Sequence, residues 1–196
     1  KSEKVLGQPY QWMKYVESAN LIMAYNGSRF LLLSISGEVL KDSILNFRLT
    51  KNTIALQYSK YWKVYDNDLN LLINDDIIHV GKPPMKGLVA VIRKNELTIS
   101  IWSTVKREWL NLALMNYKPL SFAPDYWLAT VSDNKYSVYD ADGSIVLPIY
   151  VNEFKELPNG NYFIESLDGS VAILNPDKKR VSKILKNLDV VGNYFK

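Results

Sequence analysis

The sequence predicts an all-β domain of about five repeats, each of three to four antiparallel strands, in a small propeller-like array. Three observations predict it. A β-rich pentamer recurs as Trp62-Lys63-Val64-Tyr65-Asp66, Ile99-Ser100-Ile101-Trp102-Ser103, Tyr136-Ser137-Val138-Tyr139-Asp140 and Val171-Ala172-Ile173-Leu174-Asn175, at spacings of 37, 37 and 35 residues. A second apolar marker precedes each copy. Both faces of the recurring strand are largely apolar, which suits a sheet covered on two sides.

The first repeat opens the series with a looser copy from Phe30 to Ser36. Its upstream marker is Leu21-Ile22-Met23-Ala24-Tyr25. The later markers are Ile54-Ala55-Leu56, Leu88-Val89-Ala90-Val91, Trp127-Leu128-Ala129-Thr130 and Tyr162-Phe163-Ile164. Measured from Ala24 through Ala55, Ala90 and Ala129 to Ile164, the steps run from 31 to 39 residues. Alanine near the centre of four markers fits a strand crowded by its neighbours.

Within the recurring pentamer, side chains alternate between faces. Trp62 and Val64 share one face, as do Ile99 and Ile101, Tyr136 and Val138, and Val171 and Ile173. Tyr65, Trp102, Tyr139 and Leu174 occupy the other. Lys63, Ser100, Ser137 and Ala172 interrupt that face, and three of these four are small.

Turn chemistry punctuates the strands. Asn26-Gly27, Ser36-Gly37, Asp142-Gly143, Asn159-Gly160 and Asp168-Gly169 supply the positive φ that tight turns need. Pro158, Pro176 and Pro83-Pro84 mark loops. Thr104 to Met115 is the nearest approach to a helical period, but Trp109-Leu110-Asn111-Leu112 also fits the third strand of its unit, and strand is expected. The tail, Leu188 to Phe195, resembles the start of another unit, and the head, Pro9 to Val16, is strand-like. Together they are expected to complete a shared repeat, so that residues 1–196 form one closed domain.

Bulk composition narrows the functions. Of 196 residues, 47% are hydrophobic and 22% charged, which suits a globular chain. With no cysteine, disulfides, thiolate nucleophiles, Cys-based zinc sites and iron–sulfur clusters are excluded. With one histidine, His79, no site can draw two imidazoles from one chain. The net charge of +4 is too small to announce a nucleic-acid binder. No apolar run approaches the ~20 residues of a membrane-spanning helix. The sequence opens on Lys1 rather than Met, which suggests that an upstream segment, a targeting peptide among the alternatives, is missing.

The residues around Asp140 resemble a known family. Asp140-Ala141-Asp142-Gly143-Ser144-Ile145-Val146-Leu147-Pro148-Ile149-Tyr150 resembles the core of a bacterial WG repeat, in which a Trp-Gly pair precedes an apolar dipeptide and Asp. Trp62 falls on the family's tryptophan, followed by Val64-Tyr65-Asp66. Lys63 replaces the glycine, Tyr136-Ser137 replaces the pair in the best-matched unit, and no Trp-Gly dipeptide survives. WD repeats share the strand grammar of Val138-Tyr139-Asp140, but their period is longer, ~40–45 residues. The resemblance spans Phe30 to Leu185 unevenly and is strongest from Tyr126 onward. It implies a propeller-like fold in a bacterial protein, often outside the cytoplasm, with a binding role and no general catalytic residues to carry over.

Several constellations were weighed against structural roles. Asp66-Asn67-Asp68-Leu69-Asn70 begins like a calcium loop, yet Leu71 and Ile77 stand where an EF-hand needs Gly and Glu. An Asx-rich turn is the better reading, since Asp140-Ala141-Asp142-Gly143 sits at the same repeat position. Asp75, Asp76 and His79 form the one carboxylate-plus-imidazole cluster, and read as a solvated loop leading to Gly81-Lys82-Pro83-Pro84. Lys178-Lys179-Arg180, with Lys183 and Lys186, reads as a turn beside a lysine-protected edge strand rather than a phosphate site. Asn26-Gly27-Ser28 matches a glycosylation acceptor, and the turn accounts for it.

The leading functional expectation is a non-catalytic binding module whose partner is another protein or a glycan. Trp12, Tyr61 and Trp109 are the candidate contact residues, since Trp and Tyr make good anchors. No catalytic residue, metal site or cofactor is expected, and neither is a nucleic-acid partner. An extracytoplasmic location is favoured. The alternative is a hydrolase acting on carbohydrate or another small molecule, with carboxylates at a channel mouth. Glu17, Asp42, Asp125, Glu153 and Glu156 are expected in connecting segments that would serve it.

Overall fold

The computed structural model describes residues 10–120, 123–132, 135–146, 151–166 and 168–175, and short strands at 180–181, 185–186, 190–191 and 194–195. Apart from one 3-10 turn at Glu17–Ala19, every regular element among the described residues is a strand. All pairings are antiparallel. The all-β expectation holds. The chain divides into two compact units: Lys1–Gly81 with Val91–Asn95, and Lys82–Ala90 with Glu96–Lys196.

In the first unit, β1 (Trp12–Val16), β2 (Leu21–Tyr25), β3 (Phe30–Ser34) and β4 (Val39–Ile44) form a meander in sequence order. A second meander follows from β5 (Asn46–Leu49), β6 (Ile54–Tyr58), β7 (Tyr61–Tyr65) and β8 (Leu71–Val80). The Val91–Arg93 end of β9 (Leu88–Arg93) pairs with β8. Faces meet as the alternation requires. Met23, Leu32 and Ile44 of the first meander pack with Ile54 and Leu56 of the second, and all five are fully buried. Such burial contributes about 1.5–3 kcal/mol per side chain. Between Ile54 and Leu56, Ala55 points to the opposite face and is also buried, so β6 hides both sides.

In the second unit, Leu88–Ala90 of β9 leads into β10 (Ile99–Ser103) and β11 (Glu108–Leu114). Then come β12 (Asn116–Leu120), β13 (Ala123–Ser132), β14 (Lys135–Asp140), β15 (Val151–Glu156), β16 (Tyr162–Ser166), β17 (Ser170–Asn175) and β18 (Arg180–Val181), paired in sequence order. β19 (Leu185–Lys186) also pairs with β17, and β20 (Val190–Val191) pairs with β21 (Tyr194–Phe195). The segment at Glu108–Leu114 is strand, as its fit to the repeat predicted.

β13 shows the two-sided burial most fully. Trp127 and Ala129 pack with Leu88, Ala90, Ile101 and Leu114 of the preceding strands. Tyr126 and Leu128 point the other way, to Tyr162 and Ile164 of β16. β14 divides likewise, with Tyr139 in the first cluster and Val138 in the second. The small residues on the crowded face, Ser100, Ser137 and Ala172, are buried.

The repeat extends to hydrogen bonds in the turns. Asp66 and Asp140 close their turns identically. Asp66 Oδ1 accepts from the N–H of Asp68 and Asn70, and Asp140 Oδ1 from that of Asp142 and Ser144. The five turn glycines predicted from sequence all have positive φ, between 75° and 98°. Gly143 needs its missing side chain twice over, because a Cβ there would sit 2.1 Å from Leu110 Cδ1. Exposed Arg107 holds a left-handed φ of 56° in a neighbouring repeat's turn, against the steric preference of a side chain. Arg107→Gly is therefore expected to stabilise the fold by about 1 kcal/mol, and Gly143→Ala to destabilise it by about 2 kcal/mol. Urea unfolding midpoints of the two variants would check the opposite signs. Equal signs would show that backbone conformation does not govern these turns.

Two expectations need correction. Asp75, Asp76 and His79 lie inside β8, not in a loop. Their carboxylates face cations one strand away: Asp75 meets Arg93 at 3.6 Å and Asp76 meets Lys94 at 3.4 Å. Likewise Asp42 lies in β4, Asp125 in β13, and Glu153 and Glu156 in β15. Of the five expected connecting carboxylates, Glu17 alone is outside a strand, in the 3-10 turn. Leu174's side-chain placement, Pro176 and most of the C-terminal basic run lie outside the described residues. So do Pro9 and parts of the tail, on which the expected closing of the array depends.

Candidate functional site

Trp12 lies on β1 with 41% of its surface exposed. Its cross-strand partner is Tyr25, which is opposite Phe30 on β3. Phe47 of β5 completes the group. The Trp12 ring stacks on Phe47 at 6.0 Å and meets Phe30 edge-on at 6.0 Å, while Phe30 lies 4.9 Å from both Tyr25 and Phe47. Four aromatic rings thus gather at one end of the first unit.

The adjoining β2–β3 turn is held by side-chain bonds. Asn26 Oδ1 accepts from Ser28 N–H, Ser28 O–H and Arg29 N–H, each at 3.0 Å. The Tyr25 hydroxyl donates to the Gly27 carbonyl at 2.9 Å. On the opposite face of β1, Met13 and Tyr15 are also exposed. An edge of this kind, apolar on both faces, departs from the usual protection of strand edges by charge or proline.

Tyr61 opens β7 at the same end of the unit. The Lys60 and Lys94 ammonium groups lie 5.1 Å and 5.8 Å from its ring centre. The Tyr61 phenol, and then the Asp76 carboxylate, hold the Lys94 ammonium above its ordinary range. Trp109 belongs to the second unit, half-buried on β11, where it meets Trp102 edge-on at 5.1 Å.

Phe30, Phe47 and Tyr25 were not singled out from the sequence. Their signal was present, because Tyr25 and Phe30 flank the Asn26-Gly27 turn and a hairpin brings such residues face to face. Phe47 carried no comparable mark, since its approach to Trp12 depends on one sheet packing on another.

The calcium-like segment is a self-satisfied turn. Besides the two backbone bonds, Asp66 Oδ2 accepts from Asn70 Nδ2 at 3.1 Å. Among the described residues, no group of three or more His, Asp or Glu side chains is gathered as a metal site would require. Also among them, no helix is long and apolar enough to cross a membrane.

Tyr58 of β6 is the group most perturbed in its ionisation. Burial, and then the adjacent Tyr65 phenol and the Asp42 charge, push its hydroxyl well above the ordinary 10.0. The neutral phenol is the favoured form, so its stabilising effect is full below pH 10.0 and is lost as pH rises through the folded-state value. Alkaline spectrophotometric titration of the wild type minus Tyr58→Phe is expected to show a phenol that ionises after the exposed tyrosines. Ionisation of that phenol together with the exposed ones would refute the buried placement.

No family model matches the sequence, and no curated protein matches it. Solved structures do. The chain is similar to Hsv2 of Kluyveromyces lactis at 12% identity, covering 89% of this chain and 66% of that one, with a TM-score of 0.44. A second Kluyveromyces lactis Hsv2 structure matches at 13% identity, 84% and 62% coverage, and a TM-score of 0.41. The WD40 β-propeller domain of Doa1 matches at 12% identity, 92% and 72% coverage, and a TM-score of 0.33. The chain therefore spans less than two thirds of the length of these two Hsv2 structures.

Proposed function

We propose that this chain is a non-catalytic binding module, one propeller-like repeat array that takes its partner on the aromatic end of the first unit. The observation that supports this most directly is Trp12, an exposed ring backed by Phe47 and Phe30 beside a turn held by Asn26. Large aromatic rings give contact area at low entropic cost, and Trp and Tyr dominate binding hot spots. Tyr61 with its flanking lysines extends the surface, and Trp109 is a separate contact candidate on the second unit.

The proposal also places the chain with the WG-repeat proteins of bacteria, outside the cytoplasm. The resemblance across Asp140 to Tyr150 supports that placement. Fractionation of a host carrying the tagged full-length gene tests it, and a cytoplasmic signal would reject it.

Peptide and glycan arrays probed with the chain test the binding role. Specific signals are expected, reduced at least about tenfold by Trp12→Ala, with Trp12→Phe partly retaining them. Circular dichroism of both variants separates a lost contact from a lost fold. Signals indifferent to Trp12, or turnover of a panel of chromogenic glycosides, would overturn the proposal.

A further inference from the structure

The aromatic end of the first unit is also its cationic end. Arg29 lies in the β2–β3 turn, Lys60 in the β6–β7 turn, and Arg93 and Lys94 where β9 leaves the sheet. Register places these turns together: Tyr58 pairs with Tyr61 beside Lys60, and Ile77 links Trp62 on one side to Arg93 on the other. Asp75 and Asp76 neutralise Arg93 and Lys94. Arg29 and Lys60 have no carboxylate partner among the described residues, and both are exposed.

The opposite end of the same strands carries the other sign. Glu17 follows β1, Glu38 precedes β4, and Asp66 and Asp68 lie in the β7–β8 turn, against Lys51 alone. The unit is therefore polarised along its strands, with its exposed aromatic rings at the positive end. A partner seated on Trp12 meets Arg29 beside Phe30, while any like-charged partner is disfavoured there.

From this polarity we infer that the occupant is an extended acidic peptide segment, apolar side chains seated on the Trp12 group and carboxylates facing Arg29 and Lys60. The inference rests on the binding role proposed above and names its partner class. A neutral glycan would use the rings but leave both cations without a counter-charge. An extended segment suits the site because β1, its nearest strand, presents exposed side chains on both faces.

Fluorescence anisotropy on the full chain tests the inference with two short labelled peptides of matched length. One alternates Glu and Asp with Leu and Phe. The other replaces each acid by Lys. The acidic peptide is expected to bind about tenfold or more tightly than its basic counterpart, and to weaken at about 0.5 M salt. Arg29→Glu with Lys60→Glu is expected to reverse the preference without changing the circular dichroism spectrum. Equal binding of both peptides, abolished by Trp12→Ala, would overturn the charge inference and leave the binding role standing. Tighter binding of a neutral or acidic polysaccharide than of the acidic peptide would overturn the inference too. Absence of any Trp12-dependent binding, on these probes and on the arrays, would remove both.

Discussion

Trp127→Ala is expected to cost about 4 kcal/mol of stability, the largest loss from any single truncation in the second unit. Trp127 is fully buried, and its ring stacks on Tyr139 at 4.7 Å and 23°. Its indole Nε1–H donates to the Asp140 carbonyl at 2.8 Å, so the same side chain ties β13 to the start of the β14 turn. Removing it leaves a cavity between Leu88, Ala90, Ile101 and Leu114, which belong to other strands and cannot all close in. Domains of this size hold only about 5–15 kcal/mol in all, so the variant should sit near unfolding at room temperature. Trp127→Phe keeps most of the ring and loses the hydrogen bond, and a cost of about 2 kcal/mol is expected. Guanidinium unfolding followed by far-ultraviolet circular dichroism would measure both. A loss below about 1 kcal/mol for the alanine variant would mean that the stacked strands do not share a core.

The second large effect is expected from adding atoms. Ala129 is fully buried beside Trp127, in the marker that recurs with Ala24, Ala55 and Ala90. Ala129→Leu should destabilise the fold by about 3 kcal/mol, because the space it would need is held by strands packed on both faces of β13. Ile164, at the equivalent place on β16, already accommodates a large side chain, and Ile164→Leu should cost less than about 1.5 kcal/mol. The contrast is the test. Similar costs at both positions, measured by the same unfolding experiment, would show that the alanine marks sequence drift rather than crowding.

Much of the fold was legible because each repeat writes its own rules. The alternation in Tyr136-Ser137-Val138-Tyr139-Asp140 told both which residues share a face and that both faces are buried, and the structure distributes Val138 and Tyr139 to opposite cores. Asp140 and Asp66 were read as matching turns, and their hydrogen bonds match atom for atom in the first turn positions. β8 was misread for a physical reason. Its buried residues, Ile73, Ile77 and Val80, do not follow a period of two, since the pairing register shifts between Ile77 and His79. Adjacent acids at Asp75 and Asp76 then made the segment look solvated. Their strand location depends on Arg93 and Lys94, partners distant in sequence that no local pattern announces.

The candidate site divides in the same way. Trp12 was named as an anchor from residue type alone, but its residue type did not say that the ring would be exposed. Exposure and backing both come from packing, because Phe47 reaches Trp12 across two meanders whose register is set far from either residue. By itself the sequence determined strand, turn and repeat, since these depend on neighbours within a few positions and on the steric limits of each backbone. Only the tertiary structure decided which aromatic rings meet, which charges are cancelled and which remain, since those outcomes depend on contacts between segments that local chemistry does not encode.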